Sequence, residues 1–109
     1  MRLAVVFLLV SGLTFAKGWT GTLVDANCKD VHKDQACPVN ASTTHYGVIR
    51  DGAGRTYFRF SEEGDVKVAA ALAERQKETG KFPEGSDIKV WFTGKPNGDR
   101  LALQDFALK

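Results

Sequence analysis

The chain has 109 residues, with 15 Lys and Arg against 13 Asp and Glu for a formal net charge of +2, two cysteines and two histidines. That length allows one domain with a modest core and excludes a multidomain architecture. Neither charge sign forms a block, which excludes the basic footprint of a nucleic-acid-binding protein.

The N-terminal segment reads as an export signal. Arg2 supplies the positive start, Leu3–Val10 is an unbroken apolar run, and Thr14 and Ala16 fit a small-residue cleavage site before Lys17. The apolar run falls well short of the roughly 20 residues that a membrane-spanning helix needs. No cysteine follows it to carry a lipid. Residues 1–16 are therefore expected to be a signal peptide and residues 17–109 a single exported domain, periplasmic or secreted, without a membrane span. In that compartment Cys28 and Cys37, close in sequence, are expected to form a disulfide. Closing so small a loop contributes about 2.5–3 kcal/mol in the chain-entropy account.

Gly18–Asp25 alternates Trp19, Gly21 and Leu23 with Thr20, Thr22 and Val24, the period of a first strand. Ala26–Thr44 is polar, holds Pro38, Asn40 and both cysteines, and reads as a long loop needing a staple. His45–Arg50 and Arg55–Phe60 flank Asp51-Gly52-Ala53-Gly54, a hairpin signal. Parity there turns Phe58 and Phe60 toward a core and leaves Tyr57 and Arg59 outside. Asp65 is the expected N-cap of a helix over Val66–Glu78, with Val68, Ala69, Leu72 and Ala73 as its core stripe. Gly80 and Pro83 end that helix. Asp87–Thr93 alternates Ile88, Val90 and Phe92 inward against Lys89 and Trp91. Asn97-Gly98 then marks a second hairpin, and the apolar parity of Arg100–Leu108 switches near Gln104-Asp105, as at a bulge.

The predicted fold is thus mainly β, with five strands and one helix between strands 3 and 4. That is the element order (β-β-β-α-β-β) of an OB-like barrel. Five-stranded sandwiches and α+β sheets share the order.

The block W-T-G-T-L-V-D-A-N-C, Trp19–Cys28, resembles the opening of small exported bacterial domains of unknown function, common in acidobacteria, with a W-x-G-x-L-x-D-x-x-C pattern. The stretches R-T-Y-F-R-F-S-E-E-G-D and V-W-F-T-G-K-P-N-G-D-R-L-A-L look like the middle and C-terminal parts of that group. The resemblance implies export and an OB-like fold. It transfers no activity and no functional residue.

Chemistry-bearing side chains gather after the first strand, where Cys28, His32, Cys37 and His45 follow one another. Two thiolates and two imidazoles suit Zn²⁺ or copper, but the C-x3-H-x4-C-x7-H spacing matches no familiar zinc pattern. A disulfide would consume both thiolates, leaving His32 and His45 with Asp25 or Asp30 as a weaker metal set. Asp25 also suits a plain bracing role in the loop. The cysteines are not C-x-x-C, no G-x-S-x-G occurs, and Glu62-Glu63 reads as a solvated turn. The domain is accordingly expected to be non-enzymatic and without a cofactor. Asn40-Ala41-Ser42 fits a glycosylation acceptor, relevant in a eukaryotic host only.

If the barrel is OB-like, the long first loop and the Gly94–Asp99 hairpin flank its binding face. Tyr57, Arg59, Lys89 and Trp91 then form an outward mixture of aromatic and cationic groups, suited to a small ligand, a glycan or an envelope protein. The plainer alternative has Trp91 packing under a loop or over a sheet edge. A metal-handling role for His32 and His45 and a purely structural role are the rival functions.

Overall fold

The computed structural model describes residues 18–52 and 54–109. The expected signal peptide, Met1–Ala16, lies outside these residues, as do Lys17 and Ala53.

Alternating β-branched and aromatic positions form five strands: β1 (Trp19–Asp25), β2 (Tyr46–Arg50), β3 (Tyr57–Phe60), β4 (Lys89–Asn97) and β5 (Arg100–Leu108). β1 pairs antiparallel with both β2 and β4, and β2 with β3. The β4–β5 hairpin is antiparallel, and β3 meets β5 in parallel through Arg59↔Arg100 and Phe60↔Leu101. The result is a closed barrel in the order β1-β2-β3-β5-β4. With a long helix between β3 and β4 this is the OB-like arrangement. Closure pairs each strand on both sides over part of its length.

The inward positions agree with the sequence pattern. Leu23, Val48, Phe60, Val90, Phe92 and Leu101 are fully buried, and Phe58 and Ile88 pack against them from partly buried positions. Phe60 meets Phe92 and Phe106 edge-on, at centroid distances of 6.4 and 6.2 Å, a geometry that aromatic quadrupoles favour. The parity switch in β5 is a bulge. Thr93 pairs with Asp105 but Gly94 with Leu103, so Gln104 is the extra residue and the strand bends around the barrel. The second turn is tighter than the expected Gly94–Asp99 loop. β4 runs to Asn97, and Gly98 (φ 69°) takes the first central position of a two-residue turn.

Three expectations need correction. First, the segment after β1 is not all loop: Ala26–Val31 forms a short helix, α1. Six residues cannot hold a helix by propensity. Tertiary ties hold this one, namely the cap from Asp25 and the Cys28–Cys37 disulfide.

Second, the long helix α2 spans Glu62–Thr79, and its N-cap is Ser61, not Asp65. Ser61 Oγ accepts from the Gly64 amide, and Glu62, Glu63 and Asp65 place negative charge in the first turn, where the helix dipole favours it. Gly64 allows the early start. A Cβ there would lie 3.0 Å from Phe60 Cβ and 3.1 Å from Leu103 Cβ, so the bare backbone lets the first turn sit on the barrel.

Third, the core stripe of α2 is rotated. Gly64, Asp65, Val68 and Leu72 are buried, whereas Ala69 and Ala73 are exposed. As expected, Gly80 ends the helix in the left-handed region.

Candidate functional site

Asp25 ends β1 and organises everything that follows. Its Oδ1 accepts from the Cys28 amide at 3.0 Å and its Oδ2 from the Thr43 hydroxyl at 2.9 Å. Its own amide donates to the Cys37 carbonyl, and that of Ala26 to the His45 carbonyl. The bracing role expected of Asp25 is what its contacts show. Together with the disulfide, these bonds hold α1 where Asn27 and Asp30 reach β3.

Of the four candidate ligand residues, Tyr57 and Arg59 lie under α1. The Tyr57 hydroxyl donates to Asp30 Oδ1 at 3.1 Å. Arg59 gives one terminal nitrogen to Asp30 Oδ2 and the other to Asn27 Oδ1, the latter at 3.1 Å. Its Nε is buried and has no partner among the described residues. The Arg59 amide donates to the carbonyl of Asp99 in the β4–β5 turn, so one residue ties α1 to the second hairpin. The first loop and the second hairpin thus do flank one face.

Gly47 makes room for the Tyr57 ring, since a Cβ there would sit 2.7 Å from the ring and 2.7 Å from the Phe58 carbonyl. Burial first, then the neighbouring Asp30 charge and hydrogen bond, raise the Tyr57 pKa well above the usual tyrosine value, only partly offset by Arg59.

Lys89 and Trp91 occupy the other end of the same outward face. Lys89 is paired with Thr22, Thr22 with Ile49, and Ile49 with Tyr57, a continuous row across β4, β1, β2 and β3. Beside that row, Trp91 pairs with Thr20. Here the side chains are held by one another. Lys89 Nζ donates to Thr22 Oγ1 at 2.9 Å and lies 3.9 Å from Asp51, which accepts from the Thr20 hydroxyl at 2.9 Å. Trp91 is half-buried, and the chain at Gly18 passes so close to the indole that a Cβ would fall within 2.6 Å of Nε1. Trp91 therefore does pack against a neighbouring segment.

The histidines do not come together as ligands. His32 is the exposed C-cap of α1. His45 Nδ1 lies 2.9 Å from Asp65 Oδ2, while Asp65 Oδ1 accepts from the Tyr46 amide at 2.9 Å. Burial, then Asp65 and Asp25, raise the Tyr46 pKa. Cys28 and Cys37 are joined, Asp25 and Asp30 are engaged as described, and among the described residues no three His, Cys, Asp or Glu side chains converge to hold a metal. Asp65 was expected only as a helix cap, and Thr20, Thr22 and Asp51 only as strand and turn residues. The outward parity of the two threonines was a usable signal; the partner of Asp65 was not.

A cleft of about 420 Å³ opens between α2 and the ends of β4 and β5, lined by Arg75, Pro83, Ile88 and Leu108 among others, and Lys89 lies at its border with the outward face. Compared with known proteins, the chain matches no family model, no curated protein and no solved structure.

Proposed function

We propose that this chain is an exported, non-enzymatic OB-like binding domain of the cell envelope, taking a small polar ligand or glycan on the outward face of β4, β1, β2 and β3. One observation carries the reading. Lys89, Thr22, Ile49 and Tyr57 lie in one register across four strands, with Trp91, Thr20 and Asp51 alongside, and hydrogen bonds already fix Lys89 on Thr22 and Thr20 on Asp51. A sugar needs an apolar plate for its C–H face and fixed donors and acceptors for its hydroxyls. The part of the half-buried Trp91 indole that Gly18 leaves uncovered suits the first need, and Lys89, Asp51 and Thr20 suit the second. Side chains ordered before binding lose little further entropy when a ligand arrives. Export is supported by the N-terminal pattern and is compatible with the disulfide.

The test is an amide-resolved NMR screen of the wild-type protein against a library of saccharide and small polar fragments. Shift changes are expected to cluster on Thr20, Thr22, Asp51 and Trp91 and to vanish in Trp91→Ala. Hits confined to the Pro83–Leu108 cleft, or an absence of hits, would sink the reading.

A further inference from the structure

The α1-covered half of the outward face holds a carboxylate already, and that carboxylate belongs to the protein. We propose that Arg59 and Tyr57 form a binding site for the carboxylate group of a ligand, and that Asp30 occupies it as an intramolecular stand-in that the ligand displaces. The inference rests on the reading of this face as a binding surface and names the chemistry of its covered end.

The groups around Asp30 have the composition of an oxyanion site. A guanidinium and a phenol hydroxyl converge on the two oxygens of one carboxylate, and both are carried by a barrel strand. Arg59 is well ordered by its surroundings, with only 15% of its side chain exposed. Its planar donor edge matches a two-oxygen anion.

The fit to Asp30 is incomplete. Asp30 and Asn27 take the two terminal nitrogens, and Nε is left buried with no acceptor among the described residues. A buried charged donor without a partner is costly. A carboxylate that displaces Asp30 would take the Nη1 position and the Tyr57 hydroxyl that Asp30 vacates.

Asp30 is also the easy member to displace. Its side chain is 45% exposed, so its carboxylate regains water when it swings away. Its helix stays in place, because the neighbouring Cys28 is bonded to Cys37 and Asp25 caps the first turn. Exchange therefore needs one side-chain rotation and no unfolding.

The alternative is that Asp30 only fastens α1, and the two differ in what they predict for an external anion. Asp30→Ala and the shape-preserving Asp30→Asn would be titrated with sodium acetate against sodium chloride at equal ionic strength. The readouts are the Arg59 side-chain Nε–H resonance and the thermal midpoint. If Asp30 fills the site in nine molecules of ten, removing it tightens acetate binding about tenfold. Acetate is then expected to shift the Nε–H signal and raise the midpoint of both variants, to do so weakly in wild type, and to do neither in Asp30→Asn/Arg59→Gln.

A folded Asp30→Asn protein that responds to acetate no more than to chloride would overturn the proposal. So would an acetate response surviving Arg59→Gln. A second arm uses an oligogalacturonate long enough to span the row, three strand spacings or about 14 Å. Acetate binding with no gain for the oligosaccharide would retain the carboxylate site and remove the glycan reading. Fragment hits on Thr20 and Trp91 of wild type without any acetate response would do the reverse.

Discussion

Replacing Asp65 by alanine is the sharpest perturbation of how this barrel is assembled. Its carboxylate sits in the first turn of α2, 9% exposed, and accepts from the amide of Tyr46 at the start of β2 and from His45. The Tyr46 amide belongs to a residue that is 4% exposed, so water has little access to replace the lost acceptor. An unsatisfied buried donor costs about 1–3 kcal/mol. Losing a negative charge from the helix N-terminus costs about 0.3–1 kcal/mol more. The expected loss is about 3 kcal/mol, a large share of the roughly 5–15 kcal/mol typical of a domain. For a domain of this size that lowers the thermal midpoint by roughly 12–24 °C.

Urea unfolding should show a lower transition midpoint with an unchanged slope, which separates lost stability from altered compactness. Hydrogen exchange should locate the effect, with the Tyr46 amide losing protection more than that of Val48. Asp65→Asn keeps an acceptor for Tyr46 and should cost less than half as much. A loss under about 1 kcal/mol in Asp65→Ala, or a Tyr46 amide no faster than its neighbours, would refute the assignment of Asp65 as the clasp between α2 and β2.

Other outcomes follow from the same contacts. Both tyrosines of the chain, Tyr46 and Tyr57, have raised pKa values in the folded state. The stability they contribute is complete below the ordinary tyrosine value of 10.0 and is lost as pH rises above it, because only the unfolded chain ionises readily there. An ultraviolet titration should show tyrosinate appearing together with unfolding, and Tyr57→Phe should reduce the alkaline loss of stability. Replacing Cys28 and Cys37 by serine should cost about 2.5–3 kcal/mol by denaturant titration, with exchange increasing first in α1. Gly47→Ala should cost about 1–3 kcal/mol by overpacking. It should also displace the Tyr57 ring, seen as a lowered Tyr57 pKa once its hydroxyl leaves Asp30.

The barrel was legible because its determinants are local. Strand parity placed Phe58, Phe60, Val90 and Phe92 correctly, the Asp-Gly and Asn-Gly pairs located both hairpins, and the parity switch located the bulge at Gln104. What escaped depends on distant partners. α1 has too few residues to show a period and exists because Asp25, Thr43 and a disulfide hold it. Asp65 looks like a cap in sequence, yet its acceptors are spent on residues some twenty positions earlier. Ala69 and Ala73 share a helical spacing with Val68 and Leu72, and only the seating of Gly64 on Phe60 and Leu103 decides which side of that stripe faces inward. The outward set Tyr57, Arg59, Lys89 and Trp91 came from parity alone, and parity says nothing of Asp30 arriving from 29 residues away to cover half of it.

Two acidic residues thus divide the work of closing the molecule, and their surroundings set them apart. Asp65 is buried, accepts from the backbone of β2, and cannot leave without stranding a donor. Asp30 is nearly half exposed, accepts only from side chains, and leaves behind an arginine that already lacks one partner. The same substitution, aspartate to alanine, should therefore separate them. At Asp65 it removes about 3 kcal/mol of stability and creates no new binding. At Asp30 it removes an ion pair whose carboxylate is 45% exposed, so water replaces part of what is lost, and it uncovers the arginine. Measuring unfolding and acetate response on both variants tests this division directly. Equal destabilisation at the two positions would mean that Asp30, too, is a structural clasp, and the outward face would then end where α1 begins.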